Sequence, residues 1–209
     1  SRVKQLVSVS QNQRDHGMIV VACNTASTHT LPSLREEFDI PIVGVVPAIK
    51  PACERYPGGE ILLLATPSTV GGAYIDNLVK IYASGVGVHR FGSLDLVRVA
   101  EDSLHTGESI ELVREAVGGI ANLRYDAIVL GCTHFPLIAT SLKKIFNGAD
   151  VIDSASGIAE RVQMLGADSL CQGACKRFFV TGDSPPPFNF LRQFGLSKPQ
   201  ILQMPLLAV

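Results

Sequence analysis

The chain has 209 residues, 46% of them hydrophobic and 18% charged, with 12 prolines scattered along it, a composition that folds rather than stays disordered. Eighteen basic against nineteen acidic side chains leave a formal charge of -1, and no Lys/Arg cluster interleaves with aromatics, which argues against a nucleic-acid partner. The apolar runs at 61–65 and 128–130 are far too short for a bilayer, and the opening "SRVKQLVSVSQNQRDHG" lacks the order of a secretory signal, so a cytoplasmic location and no membrane partner are expected.

In chain order, β-rich runs at 18–22, 42–46, 61–65, 86–91, 127–130 and 151–153 alternate with helix-like stretches at 68–83, 94–104, 109–123, 137–146 and 157–165. The alternation predicts βαβ units. Several runs are apolar at consecutive positions, as parallel strands are when helices cover both faces of the sheet. "SPPPF" at 184–188 reads as a stiff turn before a last helix.

Two of the five cysteines end such runs. In "VVACNTAST" (20–28) and "IVLGCTHFP" (128–136) an apolar strand runs into a cysteine, a polar residue and then a helix. Ligands bind beyond the carboxyl ends of strands in open α/β sheets, so Cys23 and Cys132 both fall where chemistry usually sits. A lone strand-end cysteine is more often packing; the repeated context favours function. It also predicts an α/β fold of two similar doubly wound lobes with mainly parallel sheets and the active site in the cleft between them. The first lobe is assigned to 1–46 with 156–209, the second to 47–155.

A catalytic thiol is favoured by polar neighbours and helix N-termini. Asn24, Thr25 and Ser27 follow Cys23, and Thr133 and His134 follow Cys132; free N–H groups at the helix starts can also hold a carboxylate. Two thiols facing one carbon suit inversion of a stereocentre: one removes the α-proton from one face and the other returns a proton to the opposite face, while N–H and hydroxyl donors stabilise the developing charge. Metal binding is not expected, because neither the Cys132/His134 pair nor the Cys171/Cys175 pair makes a zinc set. Cys53, Cys171 and Cys175 read as packing or surface thiols, and no Cys-x-x-Cys supports redox work. His16, His89 and His105 lie in polar contexts, and His29 reads as a helix residue beside the site. No Schiff-base lysine with a phosphate cradle is evident, so no organic cofactor is expected.

At "ACNTAS" (22–27) and "GCTHFPLI" (131–138) the sequence resembles the glutamate racemase family, cofactor-independent members of the aspartate/glutamate racemase superfamily. "IPIVGVVPAIKPA" (40–52), "LATPSTV" (64–70), "VIDSA" (151–155) and "FFVTGD" (178–183) extend the resemblance nearly end to end. The resemblance implies that Cys23 and Cys132 are the acid/base thiols, that His134 assists Cys132, and that Glu101, in "LVRVAED", stands near the second cysteine. Taken alone, Glu101 reads equally well as a solvated helix carboxylate. Asn24, Thr25 and Thr133 are implied to bind the polar ends of the amino acid, and Thr66, Ser68 and Thr69 to border the same pocket.

The implied activity is interconversion of L- and D-glutamate, supplying D-glutamate for peptidoglycan, with glutamate as the small-molecule partner, no cofactor and a homodimer as the candidate assembly. Spacing does not single out glutamate. Aspartate racemisation shares the chemistry, a non-catalytic amino-acid-binding module would bind without turnover, and a thiol-redox protein would oxidise Cys23 with Cys132. The family's DSG turn and PYG segment do not occur in these 209 residues. The resemblance implies that the turn supplies an aspartate and a serine assisting the first cysteine, so this polypeptide is expected to be impaired or inactive as it stands.

Overall fold

The computed structural model describes residues 1–13, 16–166, 177–183, 185–202 and 204; Cys171 and Cys175 lie outside the described residues. Helix α1 (Arg2–Gln13) is followed by strand β1 (Ile19–Val21), helix α2 (Asn24–Glu37) and strand β2 (Ile42–Gly44). The two strands pair in parallel, as a helical crossover requires. Val7, Val21, Leu31, Leu34 and Ile42 form the core of this unit. Arg35 ties the end of α2 to β2 by donating from Nε and Nη2 to the Ile42 carbonyl at 3.2 and 2.9 Å.

Helix α3 (Ile49–Arg55) leads into a four-stranded sheet of β3 (Glu60–Ala65), β4 (Gly87–Gly92), β5 (Ala127–Gly131) and β6 (Asp150–Ile152), in the order β4-β3-β5-β6. Helices α4 (Pro67–Val70) and α5 (Ala73–Tyr82) connect β3 to β4, α6 (Leu94–Thr106) and α7 (Ile110–Val117) connect β4 to β5, and α8 (Ala139–Ile145) precedes β6. Helix α9 (Ala155–Met164) then packs on β2. Strands β7 (Phe179–Val180) and β8 (Gln200–Ile201) make a further parallel pair, and between them lies the helix Phe188–Gln193, in which Leu191 is buried. Every strand pairing among the described residues is parallel, so the α/β expectation holds.

The consecutive apolar residues of β3 and β5 have a direct explanation. Leu62, Leu64, Ile128 and Leu130 join Leu96, Val113, Phe135 and Leu142 on one face of the sheet. Ile61, Leu63, Ala65, Ala127 and Val129 join Ile49, Ala52, Cys53 and Ile75 on the other. Alternate side chains point to opposite faces, and because helices cover both, β3 from Ile61 onward and all of β5 are apolar, while the exposed Glu60 only starts β3.

Three expected helices are interrupted. The stretch 68–83 is divided by Gly71, which caps the end of α4, and Gly72, which starts α5. The stretch 109–123 leaves the α-helix at Gly118, whose φ of 55° is left-handed, and continues as a 3₁₀ turn over Gly118–Asn122. The stretch 137–146 is preceded by a 3₁₀ turn at Phe135–Ile138, with Pro136 near its start, before α8 begins.

Strands β3 and β5 run in register, with Ala65 beside Gly131, so the residues after both strands emerge at one edge. A Cβ at Gly131 would lie 2.8 Å from Leu63 Cδ1, 2.9 Å from Ala65 Cβ and 3.0 Å from the Leu64 carbonyl oxygen. Part of that obstruction is backbone and cannot rotate away. Gly131→Ala is therefore expected to cost about 1–3 kcal/mol through overpacking, read as a lowered urea midpoint, and to displace Cys132, the next residue. An unchanged midpoint would show that the strands separate without strain.

Candidate active site

Both cysteine signatures lie at the carboxyl edges of their sheets. Cys23 follows β1 and caps α2, its sulfur accepting from the Ala26 N–H at 3.5 Å; its side chain is exposed. Cys132 follows β5, is only 8% exposed, and its sulfur lies 3.6 Å from His134 Nδ1. The two segments are joined directly: the Thr133 hydroxyl donates to the Ala22 carbonyl at 3.2 Å. Thus the residue after one cysteine holds the residue before the other.

A cavity of about 250 Å³ opens beside this contact. Ala22 and Asn24, on either side of Cys23, line it together with Cys132, Thr133 and Pro136. Asn24 is 3% exposed, and its Oδ1 has no hydrogen-bond partner among the described residues. A buried acceptor left unpaired costs about 1–3 kcal/mol, which a bound N–H donor would relieve. A larger depression of about 680 Å³ lies at the opposite, amino ends of β3 and β5 and contains neither cysteine.

Burial pushes the Cys132 thiol above the ordinary value of 9.0; the backbone N–H of His134 opposes the shift, and negative charge at Cys23 and Glu101 adds to it. The fold therefore favours the protonated Cys132. Its contribution to stability is full below the unfolded thiol range and is lost as pH rises through the raised folded value. Alkylation of Cys132 by iodoacetamide, followed by peptide mass, is expected to have its midpoint above pH 9; a midpoint below 9 would mean that the N–H donors outweigh burial.

His134 is also linked outward, its Nε2 lying 3.4 Å from Glu101 Oε1. Glu101 and His134 are both partly open to solvent, yet the carboxylate is aimed at the imidazole next to Cys132 rather than standing free. The hydroxyls of Thr25, Thr66 and Thr69 form a triangle with sides of 2.8, 2.9 and 3.0 Å, and Ser68 Oγ lies 2.9 Å from His29 Nε2. Asn24, Cys132 and Thr133 thus line the cavity, while Cys23, His134 and Glu101 are not among its lining residues and adjoin it through those neighbours; Thr25, Thr66 and Thr69 form a hydroxyl cluster that, with Ser68 on His29, also lies outside the lining. Among the described residues no three His, Cys, Asp or Glu side chains group as metal ligands, and no helix is long and apolar enough to cross a membrane.

The other named residues fall as follows. Cys53 is buried on α3, where burial raises its thiol. His16 bonds the Ser10 side chain and carbonyl, and His89 pairs with Glu60. Sequence reasoning assigned no role to 151–155, but Asp153, Ser154 and Ala155 line the cavity, and the Ser154 hydroxyl donates to the Val46 carbonyl at 2.6 Å. Their position directly after β6 was the available signal, since every strand end in such a sheet faces the same side.

The family model described as Asp/Glu/Hydantoin racemase matches residues 3–162. The chain belongs to the Asp/Glu/Hydantoin racemase family. Glutamate racemase of Photorhabdus laumondii is 39% identical over 211 residues, covering 94% of this chain and 72% of that protein. Glutamate racemase of Shewanella pealeana is 48% identical over 154 residues, covering 72% of this chain and 57% of the relative, so the chain spans little more than half of that relative's length. Among solved structures, Escherichia coli glutamate racemase, crystallised with L-glutamate and the activator UDP-MurNAc-ala, superposes with a TM-score of 0.88 at 34% identity, covering 98% of this chain and 81% of that one. Both cysteine segments lie inside the stretch matched by the racemase family, as do Glu101 and the strand end at 151–155.

Proposed function

We propose that the protein carrying this chain interconverts L- and D-glutamate without a cofactor, using Cys23 and Cys132 as a pair of acid/base thiols, and that it supplies D-glutamate for peptidoglycan. The observation that carries this reading is the Thr133 to Ala22 bond beside the small cavity, because it brings the two cysteine segments to one side of one space. Glutamate, rather than another amino acid, is favoured by the glutamate racemases to which the chain is similar and by the L-glutamate held in the E. coli structure.

In this reading a thiolate on one face of Cα removes the proton, and the thiol on the other face delivers one, so the configuration inverts. Asn24 Oδ1 receives the substrate ammonium together with the lone pairs of the Thr133 hydroxyl, whose hydrogen is given to the Ala22 carbonyl, and N–H groups at the start of α2 receive a carboxylate. His134 hands protons to and from Cys132, and Glu101 acts through His134. Thr25, Thr66, Ser68 and Thr69 border the substrate region. Burial of Cys132 keeps water from competing for the proton.

The two-part organisation belongs to the same proposal: 47–155 as one unit and 1–46 with 156–209 as the other. It is supported by the four-stranded sheet lying between 60 and 152 and by the packing of α9 back on β2. A cytoplasmic setting suits it, since reactive thiols persist under reducing conditions.

The test is circular dichroism of L- and D-glutamate, and of L- and D-aspartate, incubated with the protein carrying this chain. Loss of the glutamate signal, faster than that of aspartate, is expected. Turnover of aspartate alone would reassign the substrate, and binding without turnover would leave an amino-acid-binding module.

A further inference from the structure

Helix α2 carries Cys23 at its cap, and α4 follows β3, whose neighbour β5 delivers Cys132. How α2 sits on α4 therefore sets how the two sulfurs face each other. The described side-chain hydrogen bonds across that contact are hydroxyl and imidazole bonds: Thr25 to Thr66 at 2.8 Å, Thr25 to Thr69 at 2.9 Å and His29 to Ser68 at 2.9 Å. Thr25 and His29 are four residues apart and share one face of α2, so a single helix face is pinned at two successive turns. One pin would let α2, together with the β1–β2 unit to which Arg35 and Leu34 hold it, pivot against α4; two fix its direction there.

We infer that His29 and Ser68 are positioning residues, a second pin that holds α2 against α4 and thereby fixes the Cys23 sulfur relative to Cys132. The inference rests on the two-thiol reading above and gives Ser68 a task different from lining the substrate region. His29 is exposed, so the bond adds little to the core; its effect is geometric. A serine hydroxyl both donates and accepts, so the contact forms with either imidazole tautomer and with the imidazolium. Displacement of reacting groups by about 1 Å can slow a reaction by up to about a hundredfold, so a loosened α2 is expected to lower kcat while leaving KM nearly unchanged.

The test uses a readout that does not need turnover. Dibromobimane becomes fluorescent when it bridges two nearby thiols, and peptide mapping identifies the Cys23 to Cys132 product in the 209-residue chain. Bridging is expected to be about tenfold slower in His29→Phe and in Ser68→Ala, no slower in the double variant than in either single one, and restored by His29→Gln, whose amide can reach the same hydroxyl. Ser68→Ala, a small change at an exposed site, covers the case in which His29→Phe does not fold. Unchanged bridging in Ser68→Ala, or effects that simply multiply in the double variant, would overturn the pin. A raised KM with unchanged kcat and unchanged bridging would return Ser68 to the substrate region. Failure of the wild type to bridge would overturn both this inference and the two-thiol reading, whereas bridging without glutamate turnover by the protein carrying this chain would overturn only the proposed activity.

Discussion

Replacing either cysteine by alanine is expected to lower racemisation by at least about 10³-fold, because general acid–base groups typically contribute 10²–10⁴-fold each and inversion needs one on each face. The informative result is what survives. With Cys23→Ala, the enantiomer whose α-proton faces Cys132 should still exchange that proton for deuterium in D₂O and return unchanged in configuration. With Cys132→Ala, the other enantiomer should exchange instead. Such a mirror-image pattern, followed by NMR or mass, requires the two sulfurs to address opposite faces of the same carbon. If both variants exchange the same enantiomer, or if neither loses racemisation, the sulfurs do not form a facing pair. The 8% exposure of Cys132 against the exposed Cys23 shows that the faces are not equivalent in solvation, so the two surviving exchanges should also differ in pH dependence. Exchange through Cys132 should require higher pH, because burial raises its thiol and the base must first lose its proton.

The second large effect is expected at His134. Its Nδ1 lies 3.6 Å from the Cys132 sulfur and its Nε2 lies 3.4 Å from Glu101, an order in which the imidazole stands between the carboxylate and the thiol on any proton-transfer route. His134→Asn is expected to slow racemisation by about 10²-fold, as for loss of a proton-transfer group, and Glu101→Gln by about tenfold. Because the two act in series, the double variant should be no slower than His134→Asn alone. Exchange in the Cys132→Ala background, which depends on Cys23, should be insensitive to both changes. Multiplying effects in the double variant would show that Glu101 touches substrate or Cys132 by its own route.

These expectations differ in how much of their basis could be read from the chain alone. The apolar runs of β3 and β5 announced a sheet covered on both faces, since only double burial removes polar residues from both side-chain directions of a strand. The cysteines were legible for the same reason: an apolar run that stops at Cys, followed by hydroxyl and amide residues, marks a strand end whatever surrounds it. The helices at 68–83 and 109–123 were read as continuous because their apolar spacing continues past Gly71–Gly72 and Gly118, and periodicity does not register where a glycine ends a helix. His29 could not be read as more than a helix residue, because its partner Ser68 is 39 residues away and comes near only when α2 meets α4. Asp153 and Ser154 follow a strand, which marks the ligand-binding edge, but nothing local to "VIDSA" shows what β6 ends against, so their place in the cavity lining was not legible.

The sequence by itself determined the α/β alternation, the two cysteine segments and the family they resemble, since these depend on residue type and near-neighbour spacing. Only the tertiary structure decided that Thr133 reaches the Ala22 carbonyl, that Asn24 is buried beside Cys132, and that Glu101 connects to it through His134. Those contacts join residues that are tens of positions apart or more, and those between the two cysteine segments depend on how the ends of β1 and β5, which belong to separate sheets, come together. A hydrogen bond is a matter of a few tenths of an ångström, and that precision comes only from the packing of both sheets with their helices.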